Sequence, residues 1–162
     1  MTPEQLTTLK AALLADQALA QWIVDYRDDL IRDYYNAPAD PAYIVWRSSV
    51  TQDEIMQNGF DWVRVDNLSV GKARIWEWLF DNGSTSINPS KTNVRAGIDE
   101  VWKGTAPDLA VRAAVYVHCK RAANRVERLF ATGTGSDAVP GVMAFEGEIS
   151  TSDVSAMLSG ER

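Results

Sequence analysis

The sequence predicts a mainly α-helical fold: a helical bundle with a long C-terminal helix, a few short β segments and an extended C-terminal arm. Apolar residues recur at helical spacing through most of the chain, and helix-capping patterns precede several of these runs. A length of 162 residues with 46% hydrophobic residues fits a chain that buries a substantial core. No apolar run reaches the roughly 20 residues of a membrane span, and no signal peptide is recognisable.

The first 41 residues are expected to form two helices. Thr2, Pro3 and Gln5 combine a capping Thr, a Pro at the first helical position and a Gln that caps in return. A second helix is expected from Asp16 to Tyr34, because apolar residues continue at helical spacing. The prolines of segment 36–41 end it.

Shorter elements are expected in the middle of the chain. Residues 43–46 and 60–65 are two short extended candidates. Between them, Thr51 and Glu54 repeat the capping box, which predicts a short helix ending near residues 58–59. Two clearer helices follow, one capped by Ser69 and closed by 81–83, the other after 88–90 and closed by 103–104.

The last third of the chain is expected to contain a long helix and an arm. The spacing predicts a helix over 107–131, then a glycine-rich tether over 132–137, a β-capable run at 142–149 and a short helix at 152–158. We therefore expect a core domain over 1–131 and a flexible tether and arm over 132–162. The arm residues expected to order only against a partner are Val142, Met143, Phe145 and Ile149.

Charge is spread unevenly along the chain. The 16 Lys and Arg and 22 Asp and Glu give a net charge of -6, which disfavours bulk attraction to nucleic acid. Residues 105–131, with 5 basic and 2 acidic groups, are a basic island at +3, whereas 1–40 and 132–162 each carry -4. That asymmetry predicts contacts between oppositely charged surfaces of neighbouring molecules.

On the predicted long helix, Arg121, Arg125 and Arg128 share one face. Such a ridge suits carboxylates or phosphates, although an ordinary solvated face is the alternative. The further candidates for a subunit interface are Asp28, Asp29, Asp33 and Trp22.

Trp76 and Trp78 lie two positions apart on a predicted helix, so they point to nearly opposite sides. One of them, or Trp22, is expected to be exposed until a partner covers it, with core packing as the alternative for each.

The residue inventory favours neither catalysis nor a bound metal or cofactor. His118 and Cys119 are adjacent, so on a helix they point about 100° apart and cannot share a proton. Cys119 is expected to be a buried, inert thiol. The glycine-rich stretch 133–136 lacks the strand, helix and Lys of a phosphate loop. We expect no catalytic residue, no metal site and no cofactor.

Several short segments resemble small proteins encoded by tailed bacteriophages: 1–6, 41–50, 88–95, and 129–136 followed by 145–147. The resemblance implies a head–tail connector, also called an adaptor or head-completion protein. It implies a ring beneath the portal, commonly twelvefold, and an arm that grips a neighbour. The implied partners are other copies of the chain, the portal protein and a stopper or tail-completion protein. DNA would pass through the channel without specific binding.

The expected function is therefore that of a non-enzymatic structural protein of the virion neck, assembled in the host cytoplasm and without a membrane partner. A ring needs different patches that meet head to tail, and the Arg ridge and acidic segments could supply them. One alternative is another neck or tail component, such as a stopper or tail terminator. A second alternative is a small nucleic-acid-binding or regulatory helical domain.

Overall fold

A computed structural model describes residues 1–57, 60–80 and 85–161. With 55% helix and 11% strand, it confirms a mainly α fold with short β segments. In the described residues the helices are α1 (Pro3–Ala15), α2 (Ala20–Val24), α3 (Asp28–Asn36), α4 (Gln52–Ile55), α5 (Trp62–Asp66), α6 (Val70–Phe80), α7 (Thr92–Val101), α8 (Ala106–His118), α9 (Arg125–Leu129) and α10 (Thr151–Leu158). None of them is both long and apolar enough to cross a membrane.

Among the described residues, six short strands pair two by two. They are β1 (Ile44–Trp46), β2 (Val50–Thr51), β3 (Ser86–Ile87), β4 (Lys120–Ala122), β5 (Ala131–Thr132) and β6 (Val142–Met143). β1 pairs with β4, while β2 pairs with β3 and β5 with β6 in antiparallel fashion. Strand β1 lies in the extended run predicted over 43–46.

The chain divides into two compact units. Unit 1 comprises Met1–Val45 and Ala122–Arg162, and unit 2 comprises Trp46–Arg121. The predicted division into 1–131 and 132–162 is therefore wrong, because the C-terminal segment folds with the N-terminal helices. Two features hold the C-terminal segment in unit 1: its hydrophobic core and a set of part-buried polar contacts.

The core of unit 1 is built from helices at both ends of the sequence. α10 packs against α1 and α3, and α9 packs against α3. The predicted capping box of Thr2 and Gln5 starts α1, and the predicted last helix is α10. Their fully buried side chains exclude water from one shared cluster, which includes Leu9, Leu13, Leu19, Ile31, Val126, Val154 and Leu158.

A polar clamp, formed by Asn36, Asn124 and Glu127, holds the predicted arm against unit 1. Asn36 Nδ2 donates to the carbonyl oxygen of Ile149 at 2.9 Å, and the Ile149 amide donates back to Asn36 Oδ1 at 3.0 Å. Asn124 Nδ2 donates to the Gly147 carbonyl oxygen at 2.9 Å, and the Gly147 amide donates to Glu127 Oε1 at 2.9 Å. The amide and carbonyl groups of both Gly147 and Ile149 are therefore hydrogen-bonded within the chain.

The four predicted arm residues already have contacts within the chain. Ile149 is only 3% exposed, and the ring of Phe145 meets that of Phe130 at 5.9 Å between centroids. Val142 and Met143 form β6. The prediction that these four residues order only against a partner is wrong, since the monomer already supplies their contacts.

The glycine-rich stretch is also held in place. The Tyr43 hydroxyl donates to the Gly133 carbonyl oxygen at 2.8 Å, and the Ile44 amide donates to that of Gly135 at 2.7 Å. The ring of Tyr43 also lies against Gly135, where an added Cβ would collide with the ring. Glycine here permits close packing against an aromatic ring, so the predicted flexible tether is wrong.

The predicted helix over 107–131 is two helices separated by a strand. α8 ends at His118, residues 120–122 form β4, and Asn124 starts α9 through a capping box with Glu127. This Asn-x-x-Glu pattern begins a new helix even where apolar spacing continues. Cys119 is buried at the end of α8, and burial raises the pKa of its thiol to about 12, as expected of an inert thiol.

The predicted helix from Asp16 to Tyr34 is interrupted. A 3₁₀ turn at Gln17–Leu19 leads into α2, and the backbone then turns at Tyr26, whose φ is 57°, before α3 begins. A non-glycine residue at positive φ cannot continue a right-handed helix. α3 ends at Asn36, before the prolines, as predicted.

Unit 2 is organised around α6 and α7, which pack against each other. Gly97 permits this approach, since an added Cβ would come within 3.2 Å of Leu79 Cδ2. The helices predicted after Ser69 and after 88–90 are confirmed, as is the capping box of Thr51. The predicted helix ends at 58–59 and 81–83 lie outside the described residues.

We predict that Glu127→Ala will destabilise unit 1. The substitution removes the carboxylate that accepts hydrogen bonds from the Asn124 and Gly147 amides, and Glu127 is only 1% exposed. Two buried donors left unsatisfied should lower the free energy of unfolding by about 2–4 kcal/mol. Urea unfolding followed by circular dichroism measures it. The control is Glu148→Ala, an exposed acid of the same loop that should change stability by less than about 0.5 kcal/mol. Equal effects of the two substitutions would contradict the role of the clamp.

Candidate interaction surface

The arginines predicted to form one ridge do not share a helical face. Arg121 lies in β4, whereas Arg125 and Arg128 lie in α9. Arg125 Nη1 donates to the Tyr34 carbonyl oxygen at 2.9 Å, and its guanidinium carbon lies 4.1 Å from the centroid of the Tyr34 ring. Arg128 Nη1 donates to the Pro41 carbonyl oxygen at 3.1 Å. The predicted ridge is therefore wrong, because Arg121 lies outside α9 and both arginines of α9 donate to backbone carbonyl groups of unit 1.

The acidic candidates lie on α3 and also have contacts within the chain. Asp28 is only 8% exposed at the start of the helix. Asp29 accepts two hydrogen bonds from Arg27, which hold the pKa of its carboxyl at about 2, and Asp33 pairs with Arg32 at 2.6 Å.

Trp22 is half-buried, and its ring meets that of Tyr34 edge to face at 6.3 Å. Arg125 lies over the same Tyr34 ring. Of the predicted interface residues, Trp22 and Arg125 therefore both pack against Tyr34 within the chain.

The most exposed aromatic side chains of unit 2 lie instead on α5 and α6. Trp62 is 54% exposed, Val63 67%, Val70 77% and Trp78 71%. We call these four residues, together with Arg74, the α5–α6 surface. The expectation that Trp76 and Trp78 point to opposite sides is confirmed, since Trp76 is only 5% exposed.

Helix α6 carries apolar side chains on two opposite faces. At 100° per residue, positions 70, 74, 77 and 78 fall within about 100° of one another. The opposite face carries Ile75, Leu79 and Trp76, and Trp76 meets the ring of Trp102 at 5.3 Å. The inner face builds the core of unit 2. The outer face has no such covering in the described part of the chain.

A groove of about 570 Å³ lies between the two helices. Its lining combines apolar side chains with one basic and two acidic ones: Trp62, Val65, Leu68, Val70 and Ala73, with Arg74, Asp66 and Glu77. Within the described residues the exposed guanidinium of Arg74 has no hydrogen-bond or ion-pair partner. The groove therefore offers apolar walls beside charges of both signs, a combination typical of a contact surface that has both apolar and polar parts.

Two contacts fix α5 within unit 2. Arg64 Nη2 donates to Asp108 Oδ1 at 2.7 Å and to Thr105 Oγ1 at 3.1 Å, which ties α5 to the start of α8. Phe60, immediately before α5, stacks on Trp76 at 6.0 Å and meets Trp62 edge to face at 5.1 Å. Trp62 is therefore placed at the surface by a buried aromatic neighbour.

The sequence did not indicate Trp62, Val63 and Val70 as surface residues. The apolar residues within 60–65 favoured a short extended segment, but the structure makes them helical from Trp62 onwards. Asp61 is the sequence signal for this helix, because Asp is a favoured N-cap residue. Its side chain accepts a hydrogen bond from the Val63 amide. In the described ranges no group of three His, Cys, Asp or Glu side chains is placed to hold a metal ion.

Comparisons with protein-family models, with curated proteins and with solved structures gave no match to this chain.

We predict that the Arg64–Asp108 pair makes the stability of unit 2 pH-dependent. The hydrogen bond from Arg64, followed by that from Thr105, lowers the pKa of Asp108 from 3.8 to about 2. A pKa lowered by folding stabilises the fold above the unfolded value, and this contribution is lost as the pH falls from about 5 towards 2. Thermal unfolding should therefore show Asp108→Asn melting lower at pH 7, with a smaller further loss on acidification.

The matched control is Asp53→Asn, an exposed acid of α4 in the same unit. It should retain the acid-dependent loss of the unmodified protein. If Asp108→Asn and the unmodified protein lose stability in parallel between pH 5 and 2, the pair does not hold α5 as described.

Proposed function

We propose that the chain is a structural protein of a tailed-phage particle, a head–tail connector subunit that assembles into a ring between portal and tail. The observation that carries the proposal is the α5–α6 surface, where Trp62 and Trp78 are both more than half exposed. Burying an aromatic side chain removes 150–250 Å² from water, at about 25 cal/mol per Å². A protein that works by assembly gains this free energy when a neighbour covers the surface.

The resemblance of segments 1–6, 41–50, 88–95 and 129–136 to phage proteins supports the connector role among the possible assemblies. The net charge of -6 is compatible with a channel wall that DNA passes without binding. In this proposal the partners are other copies of the chain, the portal protein and a stopper or tail-completion protein. Twelve copies are expected from the resemblance.

The structure weakens the main argument for a nucleic-acid-binding domain. That alternative relied on Arg121, Arg125 and Arg128 forming one exposed ridge. Arg125 and Arg128 instead donate to main-chain carbonyl groups of unit 1. A stopper or tail terminator would use an exposed apolar surface in the same way, so the layer of the neck is decided by which neighbour binds.

We predict that Trp78→Ser will abolish assembly while leaving the fold intact. Trp78 is 71% exposed, so its loss should change the free energy of unfolding by less than about 0.5 kcal/mol. Native mass spectrometry of the unmodified protein, alone and with the portal protein from the same genome, should show a ring, with monomer for the variant. The control is Trp76→Ala on the inner face, which should cost about 3–5 kcal/mol of stability.

Two results would contradict the proposed function. One is an unmodified chain that remains monomeric and does not bind the portal protein. The other is tight binding to duplex DNA that weakens steeply with salt, which would support the nucleic-acid alternative.

A further inference from the structure

We propose that Arg64 is a positioning residue for the assembly of this chain: it holds α5 in the place where Trp62 forms one wall of the α5–α6 groove. This inference rests on the proposed function and names a residue behind the contact surface rather than in it. The side chain of Arg64 is 28% exposed, whereas its neighbours Trp62 and Val63 are 54% and 67% exposed. Arg64 is therefore largely covered within unit 2, while the residues before it face solvent.

Helix α5 has few attachments to the core of unit 2. None of its residues, Trp62–Asp66, is buried. In the described part of that unit, α6 packs closely on α7 and α4 on α8, but α5 has no comparable packing against another helix. A helix of this length is not stable by itself in water. Phe60 fixes the chain before α5 through its stacking on Trp76, so the position of the helix itself depends on side-chain contacts of its own residues.

One short segment at the start of α8 is bonded to both helices that form the groove. Arg64 of α5 donates to Asp108 Oδ1 at 2.7 Å and to Thr105 Oγ1 at 3.1 Å. Lys72 of α6 donates to the Lys103 carbonyl oxygen at 3.0 Å. Because α5 and α6 are tied to the same segment, the bonds of Arg64 fix the position of α5 relative to α6.

The carboxylate that receives Arg64 is itself held in place. Asp108 Oδ2 accepts from the Thr105 amide at 3.1 Å and from the Thr105 hydroxyl at 2.8 Å, in the capping box that starts α8. Its side chain is only 17% exposed. A charge-assisted hydrogen bond to a fixed, largely covered carboxylate is stronger than an ion pair between two mobile surface side chains. Arg64 therefore provides α5 with a firm attachment.

The groove depends on this attachment because α5 supplies one of its walls. Trp62 and Val65 come from α5, and Val70 and Ala73 come from α6. If α5 were released, the apolar surface offered to a neighbour would be divided, and binding would have to order the helix again at a cost in conformational entropy. Arg64 thus strengthens assembly by pre-organising the surface, without touching the partner.

Hydrogen–deuterium exchange and native mass spectrometry of the Arg64→Ala protein test the proposal. Amides of 64–68 should exchange about tenfold faster or more, because α5 is released, while amides of 92–101 in α7 keep their protection. The protein should still melt cooperatively. The chain concentration at which half of the chain is assembled should rise about tenfold or more.

Arg112→Ala is the matched control. It removes another Arg–Asp pair of unit 2, in which Arg112 of α8 lies 3.5 Å from Asp99 of α7. Exchange at 64–68 and the concentration for assembly should both stay within about twofold of the unmodified protein. Arg64→Lys keeps the charge but lacks the fork of donors that bonds Asp108 and Thr105 together, so both readouts should fall between those of Arg64→Ala and the unmodified protein.

Three outcomes would overturn the positioning role and leave the proposed function standing. Unchanged exchange at 64–68 in Arg64→Ala would show that other contacts hold α5. Normal assembly by that variant, with α5 released, would show that assembly does not depend on the position of α5. Loss of protection at 64–68 and 92–101 together, or failure of both Arg64 variants to fold, would show that Arg64 supports the whole of unit 2.

A different result would remove the proposed function. An unmodified chain that neither self-associates nor binds the portal protein would overturn that function and, with it, the effect of Arg64 on assembly. Exchange at 64–68 in the same samples would still decide whether Arg64 holds α5.

Discussion

The buried carboxylate of Glu127 is the contact on which the arrangement of unit 1 depends. It accepts the Asn124 amide, which starts α9, and the Gly147 amide, which anchors the C-terminal segment. Because Asn36 then holds Ile149 from α3, helices far apart in sequence close around one core. The backbone groups of Gly147 and Ile149 are therefore used within the chain and do not form an edge for a neighbour.

In unit 2, helix α6 uses one face for the core and leaves the other face exposed to solvent. The inner face of α6 is committed to the core, where Trp76 packs among Phe60 and Trp102. The same helix carries Trp78 and Val70 outward, 71% and 77% exposed. A helix with apolar side chains on two opposite faces is suited to burial between two bodies. The core of unit 2 is one of these bodies. In the proposed assembly a neighbouring molecule supplies the second body.

Local patterns could be read from the sequence where one short motif decides the outcome. The capping boxes at Thr2 and Thr51 and the prolines after Asn36 placed helix ends correctly, and the spacing of Trp76 and Trp78 separated core from surface. The prediction of one helix over 107–131 is wrong because apolar spacing continues past the Asn124–Glu127 cap that begins a new helix. The prediction of a free arm is wrong for a different reason: the clamp includes Asn36 and Ile149, which lie 113 positions apart, and no local pattern encodes such contacts. The sequence did not indicate Trp62 because a run as short as 60–65 fits an extended segment as well as a short helix.

Hydrogen–deuterium exchange on assembled and monomeric protein tests most directly the claim that the α5–α6 surface, and not the C-terminal segment, makes the contact. Amides of residues 62–78 are predicted to gain protection on assembly. Amides of 142–149, the clamped Gly147 and Ile149 included, should exchange slowly and equally in both states. Protection gained at 142–149, with no change at 62–78, would contradict it.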